Sequence, residues 1–263
     1  SREFRGGSFF TMAKHDRKIA LIHGLLAPLG CFRALEGMIE AAEACSIHLP
    51  GYGDNRGVSL DGLTLSSQAR FAARAIEEMG WKRTWVLGHS VGGAVTMLLA
   101  DQRPDLIEGI INAEGNFTLG DAFWSSRIAK MPADDWAAEY AGMEADPVAW
   151  MARGDIGNSP QAREWTIDML ASQPAKTIQA VARAVIAETT PPTYLAALRR
   201  VVGRGTPLHL LAGERAAPRW HVTDWARAAA KSYTIMPNTG HMMMMEEPQE
   251  FCRVIDGIFD QAA

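Results

Sequence analysis

The sequence predicts an α/β protein built on a doubly wound, mostly parallel sheet with an all-helical insertion. Short, continuous apolar runs recur through residues 1–116 and return after residue 204. Helical patterns separate those runs, and between the two regions the β-rich runs vanish altogether. Continuous apolar runs suit strands buried on both faces, as in a parallel sheet covered by helices, whereas a half-exposed strand alternates. The intervening helical patterns supply the crossovers that parallel strands require.

In chain order, Lys18 to Ile22 reads as a buried strand followed by a helical pattern over 30–42, and Ala44 to Leu49 as a second strand followed by one over 65–79. Arg83 to Leu87 gives a third strand. The helical pattern over 92–102 stops before Pro104, as a helix ended by proline does, and Ile107 to Asn112 is a fourth strand. From 117 to 203 the chain is rich in Ala, Trp, Met, Glu and Arg at helical spacing. Pro132, Pro147, Pro160, Pro174, Pro191 and Pro192 divide this stretch into several short helices. Strands resume at Thr206 to Ala212 and Ser232 to Met236, and a closing helix is expected over 247–260. The expected division is a core of 1–116 with 204–263, and a helical insertion of 117–203.

Composition narrows the function classes. A formal charge of −4 with scattered basic residues gives no electrostatic reason to expect a nucleic-acid partner. Three widely spaced cysteines, Cys31, Cys45 and Cys252, show no metal-ligand spacing and no disulfide framework. No apolar run approaches the length of a membrane span. The first residues lack the apolar core of a signal peptide, so a cytoplasmic location is the expectation.

Chemistry concentrates at Gly88-His89-Ser90-Val91-Gly92-Gly93, which lies between a strand and a helix pattern. In that context Gly-x-Ser-x-Gly forms a sharp elbow that lifts the serine hydroxyl clear of the sheet edge. The elbow also leaves the Val91 N–H at a helix N-terminus, where a developing oxyanion could be held. Ser90 is therefore the candidate nucleophile. A serine hydroxyl needs a base to take its proton, and His241 sits in Asn238-Thr239-Gly240-His241, a turn between the last strand and the last helix. His23-Gly24 closes the first strand. Gly24 allows a sharp turn that aims the Leu25 N–H at the space above Ser90, so Leu25 and Val91 are the expected oxyanion donors. His23 is expected to brace that turn.

Taken together, His23-Gly24, Leu49-Pro50-Gly51-Tyr52-Gly53, Gly88 to Gly92 and Gly240-His241 resemble the α/β-hydrolase superfamily, in its serine-nucleophile form with a helical cap. The resemblance implies the α/β-hydrolase fold with an eight-stranded, mostly parallel sheet, its first two strands falling at roughly residues 2–13. It also implies that 117–203 is the cap, that a Ser-acid-His triad runs in that chain order, and that no cofactor is needed. The acid departs from the family pattern. Where the family commonly has Asp after the penultimate strand, this chain has Ala216. Glu114, after the fourth strand and directly before Gly115, is the preferred acid. Glu214 and a dyad with no acid are the alternatives.

Phe117, Trp124 and Met242 are the candidate substrate-binding residues. Trp124, Trp136, Trp150 and Trp165 either line an apolar site or form the insertion's own core. Of Met242 to Met245, two are expected to face inward and offer a polarisable pocket wall. The expected partner is a small molecule with an apolar or aromatic acyl group, and the expected activity is cleavage of its ester or thioester. A carbon–carbon or lactone hydrolase, a cofactor-free oxygenase or lyase using the His–acid pair, and a non-catalytic receptor are the competing classes. Oligomeric state is not legible.

Overall fold

The computed structural model describes residues 17–154 and 156–261. Six strands form one sheet: β1 (Lys18–Ile22), β2 (Glu43–Ile47), β3 (Thr84–His89), β4 (Ile107–Ala113), β5 (Leu208–Gly213) and β6 (Ser232–Met236). Their order is β2-β1-β3-β4-β5-β6 and every neighbouring pair is parallel. The proposed first two strands, at 2–13, lie outside the described residues. β1 and β6 match their expected spans. β2 stops at Ile47, two residues short, because the Leu49 N–H turns to His23 Nε2. β3 runs two residues longer than expected, since Gly88 and His89 still pair with Asn112 and Ala113.

The central strands β1, β3, β4 and β5 are almost wholly buried, as continuous apolar runs require. Helices α1 (Leu29–Met38), α2 (Leu65–Glu78) and α3 (Val91–Gln102) provide the first crossovers. α1 packs against the closing helix α12 (Pro248–Gln261), and α2 against α3. The chain winds from β1 outward to β2, then returns across β1 to β3 and onward. The carboxyl ends of β1 and β3 therefore flank the point where winding reverses, which is where open α/β sheets form their crevice.

Between β4 and β5 lie six helices: α4 (Phe123–Lys130), α5 (Ala133–Ala145), α6 (Pro147–Arg153), α7 (Pro160–Ala171), α8 (Ala175–Thr189) and α9 (Pro192–Gly203). Proline opens α6, α7 and α9 within their first turn, where its missing N–H costs nothing. Trp136, Trp150 and Trp165 are buried; Trp136 Nε1 donates to Ala175 O within the block, whereas Trp165 reaches out to Gly30 of α1. After β5 come α10 (Asp224–Ala229) and, beyond β6, the single turn α11 (Met243–Glu246). All four of Met242 to Met245 are buried, which corrects the expectation of two. α11 is enclosed by α7 and α12, and Cys31 Sγ reaches Met244 O. No helix among the described residues is long and apolar enough to cross a membrane.

Candidate active site

Ser90 occupies the step from β3 into α3 with φ 55° and ψ −124°, a backbone conformation that costs of order 1–3 kcal/mol for a residue with a Cβ. The surrounding glycines make the step possible. A Cβ at Gly88 would fall 2.3 Å from Gly92 O, and one at Gly92 would fall 2.3 Å from Ile22 O. The turn after β1 crosses directly over the serine, since a Cβ on Gly24 would meet Ser90 Cβ at 2.9 Å. Leu25 and Val91 are both buried, and their N–H groups have no partner among the described residues. Two free donors thus flank the serine.

The turn after β1 is braced as the sequence suggested. His23 is buried, its Nδ1–H donates to Gly24 O at 2.9 Å, and its Nε2 accepts from the Leu49 N–H at 3.2 Å. Burial lowers its pKa to about 4. Tyr52, from the Gly51-Tyr52-Gly53 turn, packs on the His23 ring and donates its hydroxyl to Leu25 O at 2.8 Å.

Glu114 follows β4 with φ 48°. Its Oε2 lies 2.5 Å from His241 Nδ1, and its Oε1 accepts from the Gly213 N–H at 2.8 Å. A carboxylate can only accept there, so His241 Nδ1 carries a proton, and in the neutral ring Nε2 is the nitrogen with the free lone pair. The Glu114 side chain is 4% exposed and that of His241 45%. Gly115 permits this arrangement by close approach: a Cβ there would meet Gly93 Cα at 2.5 Å. Asn112 Oδ1 accepts from the Gly115 N–H and Trp220 Nε1 donates to Gly115 O, which pins the loop from both sides. Glu214 is engaged elsewhere, accepting from the Asn238 N–H at 2.8 Å, and Ala216 is buried.

Sequence reasoning missed His89. It is fully buried, its Nε2–H donates to His241 O at 2.8 Å, and its ring lies 4.6 Å from that of His241. Desolvation, then the charge of His241, holds its pKa well below the ordinary histidine value, so His89 stays neutral and serves as a brace. No hydrogen bond joins Ser90 Oγ to His241 among the described residues; such bonds often tighten only when substrate binds. His89, one residue before Ser90, ties the two together. Among the described residues, the only non-glycine positions with positive φ are Ser90, Glu114 and Asn238, the last of these three residues before His241. Among the described residues, positive φ outside glycine thus falls only in the three loops that carry these groups.

The substrate-binding candidates separate. Phe117 is fully buried against Trp220, with ring centroids 5.9 Å apart, and Met242 is 8% exposed. Trp124 is half-buried and stands edge-on to Trp150 at 6.2 Å. These two rings line a cleft of about 360 Å³ with Glu139, Met143 and Arg153.

A parallel sheet carrying a serine elbow, a loop histidine and a carboxylate from a neighbouring strand end defines an α/β hydrolase. The chain belongs to the alpha/beta hydrolase family, whose model matches residues 19–254, and it is an enzyme of that family. It is 26% identical over 241 residues to a 2-succinyl-6-hydroxy-2,4-cyclohexadiene-1-carboxylate synthase of Serratia proteamaculans, covering 88% of each chain. Among solved structures it resembles a thermophilic esterase from Thermogutta terrifontis, with TM-score 0.71 and 20% identity over 93% of this chain and 90% of that one. It also resembles MenH from S. aureus, with TM-score 0.71 and 17% identity over 93% and 94%.

Proposed function

We propose that the protein is a serine hydrolase that cleaves a carboxylic ester or thioester bearing an apolar or aromatic acyl group. The observation that carries this reading is the 2.5 Å contact between Glu114 and His241 Nδ1, on a loop tied through His89 to the strained Ser90. In this reading Ser90 Oγ attacks the acyl carbon while His241 Nε2 takes its proton. The carbonyl oxygen becomes an oxyanion held by the Leu25 and Val91 N–H groups, each worth about 3 kcal/mol of barrier in acyl transfer. The protonated His241, stabilised by Glu114, then returns the proton to the departing alkoxide or thiolate. Water repeats the sequence and frees Ser90. The six helices of 117–203 act as the cap over the crevice. The experiment is a panel of p-nitrophenyl esters and acyl thioesters run on the parent and on Ser90→Ala. Turnover by the parent that Ser90→Ala abolishes supports the reading, and turnover unaffected by the substitution refutes it.

A second reading is favoured by the Serratia relative, which is named a synthase and matches nearly the full length of both chains. Here His241 and Glu114 deprotonate a carbon acid, the chemistry is a lyase reaction, and Ser90 positions the substrate. Loss of Ser90 would then reduce turnover modestly, whereas loss of His241 would abolish it.

A further inference from the structure

The turn that presents His241 makes no ladder contacts of its own, and five of its main-chain atoms are held from outside, beginning with the Asn238 N–H, which donates to Glu214 Oε2 at 2.8 Å. Arg215, two residues past β5, donates its main-chain N–H to Thr239 O at 2.9 Å and its Nη1 to Asn238 O at 2.5 Å. Its Nη2 pairs with Glu246 Oε2 at 2.7 Å. Glu246, at the end of α11, turns its other oxygen to the Gly240 N–H at 2.9 Å, one peptide before His241. The fifth atom is His241 O, held by His89.

Glu246 is boxed in. Its side chain is 8% exposed, and a Cβ on Gly157, in the segment between α6 and α7, would come within 2.9 Å of its Cγ. A buried carboxylate is tolerable only when paired and hydrogen-bonded, and Arg215 with the Gly240 N–H meets that need. Five charged or titratable groups face the His241 turn: Glu114 after β4, His89 from β3, Glu214 and Arg215 after β5 and Glu246 from α11. Glu114 orients the ring. Something else must fix the Cα–Cβ bond from which the ring swings.

We propose that Arg215 and Glu246 form a positioning pair that sets the orientation of His241 by fixing the peptide planes before it. The proposal rests on the reading of His241 as the base. Asn238 enters the turn at φ 58°, a left-handed position that asparagine adopts, and releasing the clamp frees the Gly240–His241 peptide to rotate. The proton-accepting nitrogen would then move off line without any change in substrate contacts.

The test measures kcat and KM with p-nitrophenyl butyrate, and the rate of fluorophosphonate labelling per folded molecule. The variants are Glu246→Gln, Glu246→Leu, Arg215→Gln and, as a surface control, Glu250→Gln, with melting curves to verify folding. Glu246→Gln and Arg215→Gln should lower kcat and the labelling rate by about 10- to 100-fold with KM within about two-fold, the pattern of misplaced reacting groups. Glu246→Gln keeps an acceptor for the Gly240 N–H and should fall less than Glu246→Leu, while Glu250→Gln should match the parent. Parent values of kcat and labelling in folded Glu246→Gln and Arg215→Gln would overturn the pair's role, as would a loss confined to KM. A parent that takes no label at Ser90 would instead overturn the reading of His241 as the base, a separately recognisable result.

Discussion

Replacing Glu114 by Gln changes one heavy atom in the site, and its effect can be worked through from the contacts. Glu114 Oε1 accepts from the Gly213 N–H while Oε2 faces His241 Nδ1. Gln keeps its oxygen on the Gly213 N–H and therefore points its NH2 at Nδ1. A donor there forces Nδ1 to accept, which moves the imidazole proton to Nε2, the atom that must take the Ser90 proton. The wrong tautomer and the loss of a charge facing the imidazolium together cost about 10⁴-fold in kcat, or about 5.5 kcal/mol of barrier. Stability should hold, because a neutral amide replaces a nearly buried carboxylate. The assay is ester turnover and fluorophosphonate labelling of the folded variant beside Glu214→Gln. The Glu214 carboxylate accepts from the Asn238 N–H, and Gln preserves an acceptor there, so the loss should stay below about 10-fold. A Glu114→Gln enzyme within 10-fold of the parent, or one no worse than Glu214→Gln, would refute the assignment of the acid.

Other expectations follow from single contacts. His23 is buried with a pKa of about 4, below its unfolded value near 6.5, so between those values the unfolded chain binds more protons. Stability should be full above pH 6.5 and fall toward pH 4 by up to about 3 kcal/mol; chemical denaturation of the parent and His23→Gln across that range should show the variant's slope reduced. Gly92→Ala puts a Cβ 2.3 Å from Ile22 O and 2.5 Å from His23 O, both main-chain atoms, and should cost about 3 kcal/mol, read as a drop of about 6–12 °C in Tm. Phe117→Ala removes a fully buried ring from Trp220 and should destabilise by about 3–5 kcal/mol. A Phe117→Ala protein that melts with the parent but loses substrate affinity would show instead that the ring lines the pocket.

The sheet was legible because its strands are buried on both faces, so Ile19 to Ile22 and Trp85 to Leu87 stand out as unbroken apolar runs. The elbow was legible because Gly88 is demanded by a clash with Gly92 only four residues on, although the clash that demands Gly92 comes from Ile22 on β1. Strand ends were less so: Leu49 is as apolar as any strand residue, yet its N–H is claimed by His23, a contact no local pattern encodes. Phe117 and the run of methionines carried the same apolar signal whether they faced a pocket or the core, and packing from Trp220, α7 and α12 decided between them. His89, Arg215 and Glu246 were invisible as a set because they come from three elements and meet only in the folded chain. A spacing signal existed for one of them, since Glu246 lies at the start of the closing helical region five residues after His241, but charge there is as readily explained by solvent.

The central claim is that Ser90 is an activated nucleophile. Intact mass of the folded parent and of Ser90→Ala after exposure to a fluorophosphonate tests it most directly. One adduct on the parent and none on Ser90→Ala is the expected result. An unlabelled parent, or an adduct that persists in Ser90→Ala, would contradict it.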